Sequence, residues 1–459
     1  MDRIRNLTTL LRSQLWLVPG VIMLAAAGLA WGLLTHGEAI SPEDETAFWW
    51  LYSGEAATAR ELLASLLGGL MTMTSLVVSI TFVILTLAAN QLGPRLIAIF
   101  MRDLQIQGVL GLFIGTILYI VLIMRTLDDT LGSEGVPHLA ITVATLLTIL
   151  CLMALLFYLH KVARLIIADN VVNAVARDLR HTFREIMPSG RDDHEDVSQV
   201  DFFGAAWQVS LDKSGYLQVV DYEALKSLAC ARDILIKVTV RAGHYVLRGG
   251  DHVIVHGLSR PDEEVEAKIR AAVTIGGSRT PAQDPEHGIR QLVEIATRAL
   301  SPGTNDPFTA FAVIDRLGTS LEDAFGRGTQ QCIFRDSDGS VRVVADRADD
   351  AGLVDAAFHP IRQAGGGHPA ILIHLADMIR KLAPAVRTAV QHKALSEQLE
   401  RLSETVALGA ITPHDRADIT ARIGRARLAL SDAATELQDQ RNKPSHPSFL
   451  DDQHEGQTK

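Results

Sequence analysis

Four long apolar runs occupy the first third of the chain and constrain the fold more than any other feature. They cover residues 15–34, 62–89, 109–124 and 139–159. Each is long enough, or nearly long enough, to cross a bilayer core of about 30 Å, which takes about 20 helical residues. Hydrocarbon offers the backbone no hydrogen-bond partner, so a crossing segment must satisfy its own groups. The runs therefore predict four transmembrane helices.

Basic residues near the ends of these runs predict the orientation, because cytoplasmic links carry an excess of Lys and Arg. They are Arg3, Arg5 and Arg12 before the first run, Arg95 and Arg102 between the second and third, and Lys161, Arg164, Arg177, Arg180 and Arg184 after the fourth. The other two links are mainly acidic. We therefore expect both termini in the cytoplasm, with a basic segment facing anionic lipid after the fourth span.

The second run carries a polar stripe. Its polar residues Thr72, Ser75, Ser79, Thr86 and Asn90 follow one another at steps of three, four, seven and four. These steps place them on one helical face. Small hydroxyl side chains on one face either pack against a neighbouring helix or line a wet path. The stripe predicts one of these two roles, and the spacing does not decide between them.

The third run carries a glycine face, and none of the runs carries a central charge. Gly108, Gly111 and Gly115 fall at steps of three and four, which allows two helix backbones to approach closely. No Asp, Glu, Lys or Arg lies in the middle of any run. That absence argues against a proton relay or a charge-coupled pump.

The rest of the chain predicts an α+β cytoplasmic region attached to the α-helical bundle. After the four-span domain of residues 1–160, apolar periodicity predicts that the fourth helix continues into a juxtamembrane helix and linker, 161–198. Five short strands around glycine turns predict a small β-barrel-like or curled-sheet subdomain over 199–260. Residues 261–442 predict a mainly helical domain, and 443–459 predict a disordered polar tail.

Two loops and the helix between them collect the candidate polar residues of this region. They are Arg279, Asp284, His287, Glu294, Arg298, Ser301, Asn305 and Asp306. A hydrolase would use Asp284, His287 and Ser301, but a catalytic triad is a geometry that spacing does not supply. The alternative is structural: Ser301, Asn305 and Asp306 cap helices, and Arg279 pairs with Asp284. We expect the structural role and name no catalytic residue.

Composition excludes several other classes. Three cysteines lie far apart and form no metal pattern, so we expect neither a metal nor a cofactor. The net charge of −10 gives no indication of nucleic-acid binding. A small ligand remains unknown.

Four motifs in order resemble one bacterial family. They are Gln91-Leu-Gly-Pro-Arg95, Gln107-Gly-Val-Leu-Gly-Leu-Phe-Ile-Gly-Thr116, Ser214-Gly-Tyr-Leu-Gln218 and Arg298-Ala-Leu-Ser-Pro-Gly-Thr-Asn-Asp-Pro-Phe-Thr-Ala310. Together they make the chain similar, from the first helix to about residue 430, to the predicted membrane proteins of domain-of-unknown-function family 2254. The resemblance implies a four-helix protein of the bacterial inner membrane with a cytoplasmic domain. It transfers no catalytic or binding residue.

These observations lead to one main hypothesis and one alternative. The hydroxyl stripe and the absence of buried charge favour a homo-oligomeric channel or channel-like protein with a regulatory cytoplasmic domain. The alternative is a membrane-tethered enzyme or ligand sensor that uses the 279–306 loops.

Overall fold

The structure, a computed structural model, describes residues 16–36, 55–93, 103–127, 136–165, 167–187, 200–202, 204–257 and 262–442. Several sequence predictions lie outside these ranges. They concern Arg3, Arg5, Arg12, Arg95 and Arg102, the linker residues 188–198 and the tail 443–459.

Four helices are long and apolar enough to cross a membrane, as the four runs predict. They are α1 (Leu17–His36), α2 (Ala56–Leu92), α3 (Leu104–Met124) and α4 (His138–Leu165). Helix α3 is the most buried of them and places Phe113 and Tyr119 in the centre of the bundle core. Leu63 and Leu70 of α2 and Ile141 of α4 complete that core.

The predicted continuation of α4 into the juxtamembrane helix is wrong. Helix α4 ends at Leu165, Ile167 has an extended backbone (φ −75°, ψ 114°), and a separate helix α5 (Ala168–Ile186) follows. The side-chain amide of Asn170 donates a hydrogen bond to the carbonyl of Arg164 across the break, at 2.8 Å. The break lets α5 bury its apolar stripe, which includes Val172, Leu179 and Phe183, in the core of the extramembrane domain. The periodic pattern of apolar residues does not reveal so short a break in the helix.

The extramembrane domain, which follows the spans, contains two β-sheets. Its strands are β1 (Ala206–Val209), β2 (Gly215–Val220), β3 (Leu235–Val238), β4 (Tyr245–Val246), β5 (Val253–His256), β6 (Val273–Gly276), β7 (Ile333–Arg335) and β8 (Val341–Ala345). One sheet has the order β1-β5-β3-β8-β7, and the other has the order β4-β2-β6. All pairs are antiparallel except β3–β8.

The predicted barrel-like or curled sheet is not confirmed, because these sheets are open. A barrel closes when its edge strands pair with each other, but β1 and β7 form opposite edges of the larger sheet. The strands β1 and β2, which flank a glycine turn, pair with different partners and divide between the two sheets. The parallel partner of β3 comes from residues 341–345, a pairing that no local turn signal announces.

Helices surround the sheets and form the main core. They are α6 (Tyr222–Arg232), α7 (Glu263–Ala272), α8 (Glu286–Ala299), α9 (Pro307–Phe325), α10 (Asp350–Ala364), α11 (Pro369–Leu382), α12 (Ala389–Leu408) and α13 (Pro413–Asn442). The first two cover the sheets, where Leu225 and Ile269 pack on Val253. The others pack with α5 around Leu292, Leu317 and Phe358. The end of α2 reaches the same core through Ala88.

Candidate functional site

Helix α2 places small polar residues on the side that faces away from the bundle, which is unusual for a membrane span. Leu63, Leu70, Val77 and Ile84, at intervals of seven residues, are buried against the other spans. The opposite face carries Ser65 and Gly68 and then the predicted stripe, and it points away from the protein. The polar stripe of α2 therefore lies on its outward side, where the apolar side chains of Met71, Leu76, Phe82 and Val83 are also exposed.

All five residues of the predicted stripe are exposed: Thr72, Ser75, Ser79, Thr86 and Asn90. The hydroxyls of Thr72 and Thr86 donate to carbonyls one turn earlier in the same helix, at 3.0 and 2.9 Å. Such bonds satisfy a hydroxyl in lipid but contribute nothing to contacts with other helices of the protomer. A path lined by this face, or a close helix contact on it, therefore requires a second molecule.

Contacts at two levels tie α2 to its neighbouring spans. Arg60 donates to the carbonyl of Leu127, just beyond α3, at 2.9 Å. The hydroxyls of Thr81 and Tyr158, the latter on α4, lie 2.5 Å apart. About 32 Å of helix separates Arg60 from Thr81, which is long enough for a hydrocarbon core of about 30 Å. Thr72, Ser75 and Ser79 lie between these two contacts, and Thr86 and Asn90 lie closer to the end of α2.

Beyond Ile84, which still packs in the bundle core, α2 enters the extramembrane domain. Ala88 is buried in the domain core and Leu85 packs against it. Arg298 of α8 donates from Nη1 to the carbonyls of Ala89, at 2.6 Å, and Asn90, at 2.9 Å. The last carbonyls of a helix lack partners within it and carry its negative dipole end. A guanidinium is suited to that position, so Arg298 binds the end of the span to the domain.

Gly93 completes this attachment. Its φ is +117°, and a Cβ at this position would lie 2.8 Å from Glu294 Oε1. A side chain here would be both strained and in collision with α8. The α2 residues 89–93 therefore lie against Glu294 and Arg298 of α8.

The α8–α9 turn holds Arg298 in place. The Ser301 hydroxyl donates to the carbonyl of Arg298 at 2.6 Å. Asn305 has φ +46°, and Asp306 caps α9 by accepting from the backbone N–H groups of Phe308 and Thr309, both at 3.1 Å. Pro307 follows as the first helical residue. In the described structure Ser301 and Asp306 bond the ends of α8 and α9, and Asn305 shapes the turn between them through its positive φ.

A buried ionic cluster lies at the opposite end of α8. Asp284 is 1% exposed, and its Oδ2 accepts from Arg279 Nε at 2.7 Å. Glu286, also buried, accepts from Arg241 at 2.9 Å and from Arg290 at 2.9 Å. Gly243, with φ +91°, lies against the first pair, where a Cβ would be 2.3 Å from Asp284 Oδ2. The cluster joins α8 to the loop after β3.

Burial and charge shift the two carboxyl groups in opposite directions. Burial raises the pKa of Asp284 to about 6, although Arg279 opposes the shift. Burial alone would also raise the pKa of Glu286, but the hydrogen bonds and charges of Arg290 and Arg241 outweigh it and lower that pKa. Asp284 is therefore the acidic group of this cluster that titrates closest to neutral pH.

The eight loop residues do not form one site. Helix α8, with 14 residues, separates Asp284 and His287 at its start from Ser301 after its end by about 20 Å. Asp284, His287 and Ser301 are therefore too far apart for a triad. Glu294 and Arg298 lie toward the α2 end, and Arg279 lies at the other. Within the described residues, no three His, Cys, Asp or Glu side chains are grouped so that they could hold a metal ion.

The glycine face of α3 meets α1 over part of its length. A Cβ at Gly111 would lie 2.7 Å from Ile22 Cδ1 and 2.9 Å from Pro19 Cα, and one at Gly115 would lie 3.4 Å from Ala26 Cβ. A Cβ at Gly108 would meet no atom of the described residues within 4 Å. Gly111 and Gly115 thus lie at the α1 contact, whereas Gly108 has no described neighbour there.

Sequence reasoning missed Arg241, which lies about 40 residues before the loops. It contacts Glu286 and also Asp346, at 3.5 Å. Its nearest local signal is Gly243, two residues later, whose positive φ allows the close approach to Asp284.

Comparison with known proteins adds the following. Residues 12–381 match a family described as predicted membrane protein, DUF2254, and this range includes α1 to most of α11. Uncharacterized proteins of Mycobacterium bovis and Mycobacterium tuberculosis are each 28% identical over 352 residues, which cover 74% of this chain and 68% of the relative. No solved structure matches the chain.

Proposed function

Because the chain belongs to the DUF2254 family of predicted membrane proteins, and because its second span turns a polar face outward, we propose that it forms a homo-oligomeric channel. The α2 helices of several copies surround the path, and the extramembrane domain regulates it from the cytoplasm. Basic residues flanking the spans support a bacterial inner-membrane location with both termini inside.

The outward polar face of α2 carries this proposal. A protomer alone in lipid would expose Thr72, Ser75 and Ser79 to acyl chains, between apolar side chains such as Met71 and Leu76. Small residues allow helices to pack closely, and hydroxyls solvate a narrow aqueous path. Association of several copies through this face removes the mismatch. The uncharged spans favour passive conduction over a charge-coupled pump.

The attachment of α2 supports the regulatory role of the domain. Arg298 and the packing of Ala88 tie the end of the path-lining helix to α8. A shift of α8 therefore displaces α2 at the cytoplasmic mouth. Shifts of this kind in packed elements are how interfaces switch between discrete states.

Flux through liposomes tests the proposal. Full-length protein is reconstituted, and release of small ions is compared for wild type, Thr72→Leu and Ser79→Leu. Leu146→Ala, at an exposed position of α4, is the matched control. We expect flux in wild type and in the control and a loss of at least tenfold in the two stripe variants. Wild type without flux, or stripe variants with unchanged flux, would refute the channel.

The alternative of a tethered enzyme or ligand sensor gains little from the geometry, because the 279–306 residues divide between the two ends of α8. Its remaining candidate is the buried Asp284 cluster. Assays of the full-length protein for nucleotide binding and for ester or phosphate hydrolysis would favour this alternative if an activity appeared that Asp284→Asn abolished without lowering stability.

A further inference from the structure

A large groove opens where the membrane spans meet the extramembrane domain. Its volume is about 1340 Å³, which exceeds the roughly 300–1,000 Å³ of most small-molecule pockets. The start of α3, the end of α4, helix α5 and Arg316 of α9 form its walls. It lies at the level of Tyr158 and Lys161, near the end of α4 that leads into the extramembrane domain.

The end of the groove nearest the domain is strongly basic. Arg164, Arg177, Arg180 and Arg316 line it. Within the part of the chain that the structure describes, no carboxylate lies within ion-pair distance of these four guanidinium groups. The groove also contains Lys161, which pairs with its single lining carboxylate, Asp103, at 2.8 Å. Among the described residues, therefore, no carboxylate neutralises the positive charge of these four arginines.

The other end of the groove is apolar and belongs to the membrane spans. Val109 and Leu112 of α3 and Phe157 of α4 line it, and Phe157 is 73% exposed. Leu112 lies nine residues into α3 beyond Asp103, which is a depth of about 13 Å. That depth reaches past the headgroup region to the acyl chains.

We propose that this groove binds an anionic phospholipid of the adjacent leaflet, with its phosphate among Arg164, Arg177, Arg180 and Arg316 and its acyl chains along Val109, Leu112 and Phe157. Arginine forks are suited to phosphate oxygens. A free phosphate would use only the basic end and would leave the apolar end without a ligand. The lipid would touch α3, α4, α5 and α9 together, so it would link the spans to the domain. This site does not depend on the channel.

The first test measures lipid binding to the full-length protein in detergent by native mass spectrometry, with phosphatidylglycerol and phosphatidylcholine as probes. We expect retention of phosphatidylglycerol in preference to phosphatidylcholine. A basic residue near the membrane surface contributes about 1 kcal/mol toward anionic lipid, which is about fivefold in affinity. Arg177→Gln should therefore weaken binding about fivefold, and Arg177→Gln with Arg180→Gln about 25-fold.

A matched control separates the groove from general surface charge. Arg184 lies on the same helix, outside the groove and 4.0 Å from Asp323. Arg184→Gln removes the same charge as Arg177→Gln but should leave phosphatidylglycerol affinity within twofold of wild type. Equal losses in these two variants, or no preference for phosphatidylglycerol in wild type, would overturn the proposal.

Two further arms distinguish a lipid from a soluble phosphate. Gly108→Leu places a side chain in the apolar end of the groove, where a Cβ meets no atom of the described residues. This variant changes no charge and should reduce phosphatidylglycerol binding at least fivefold. Inorganic phosphate and glycerol 3-phosphate at millimolar concentrations should not displace the lipid. Displacement by either one, together with unchanged binding to Gly108→Leu, would assign the basic end to a soluble phosphate and overturn the lipid site.

Discussion

Arg298→Met should loosen the end of α2 from the extramembrane domain. The substitution retains an apolar stem but removes both bonds to the carbonyls of Ala89 and Asn90. A hydrogen bond from a charged donor contributes about 1.5–3 kcal/mol. Because one of the two is exposed and water can replace it, we expect a loss of about 2–3 kcal/mol for the pair. That loss corresponds to an increase of about 30-fold to about 150-fold in local opening.

Hydrogen–deuterium exchange of the full-length protein in nanodiscs measures this opening directly. Peptides that cover residues 85–92 should exchange faster by the stated factor in Arg298→Met, while peptides from residues 62–78 should not change. Arg290→Met is the control, because Arg290 lies on the same helix but binds Glu286 at the other end. Unchanged exchange over 85–92 in Arg298→Met, or an equal increase in Arg290→Met, would refute the attachment.

Three other predictions follow from the buried cluster and the glycine contacts. The pKa of Asp284 is raised to about 6 from 3.8, so between these values the folded protein binds more protons than the unfolded chain. The free energy of unfolding should therefore fall as pH rises from 4 to 6, by at most about 3 kcal/mol. Asp284→Asn should remove this fall, and an unchanged pH profile in that variant would contradict the assignment. Gly243→Ala should lower the unfolding midpoint more than Gly249→Ala. Both glycines have positive φ, which gives either alanine a strain of about 1–3 kcal/mol, but only a Cβ at Gly243 collides with Asp284. Equal midpoints for the two variants would contradict this prediction. Gly111→Ala should lower the free energy of unfolding in detergent by about 1–3 kcal/mol, because its methyl group overpacks against Pro19 and Ile22. Gly108→Ala should change it little. A larger loss of stability in Gly108→Ala than in Gly111→Ala would exclude the α1–α3 contact.

The membrane part was the most predictable from sequence, because apolar length is a physical requirement for crossing a bilayer. The second run, 62–89, nevertheless underestimates α2, which spans Ala56–Leu92. Its two ends are polar or domain-bound and have no hydropathy signal. The orientation of the polar stripe also could not be read from spacing. Periodicity places Thr72 and Ser79 on one face, but only packing decides whether that face points inward or outward.

The extramembrane sheets were less predictable, because their pairing is non-local. The turn Asp336-Ser-Asp-Gly339 is a local signal for the hairpin β7–β8, but the parallel pairing of this hairpin with β3 depends on contacts about 100 residues apart. The strand β6 follows α7 without a break, so no turn signal separates the two.

The candidate site shows the same division between local and distant signals. The cap at Asp306 follows from sequence, and the structure has it at the start of α9, because capping is a local interaction. The partners of Arg298 are about 210 residues away in sequence. The arrangement of guanidinium groups around the groove depends on how α5 packs after the break at Ile167, which no sequence period records.

Disulfide cross-linking in native membranes tests most directly whether the outward face of α2 meets the same face of another copy. Single cysteines are placed in a background without Cys151, Cys230 and Cys332. We expect Ser75→Cys to form a cross-linked dimer under mild oxidation. Val77→Cys, which is buried within the protomer, and Leu146→Cys, which is exposed on α4, should remain monomeric. A monomeric Ser75→Cys, or equal cross-linking of Leu146→Cys, would contradict the oligomer and the channel built on it.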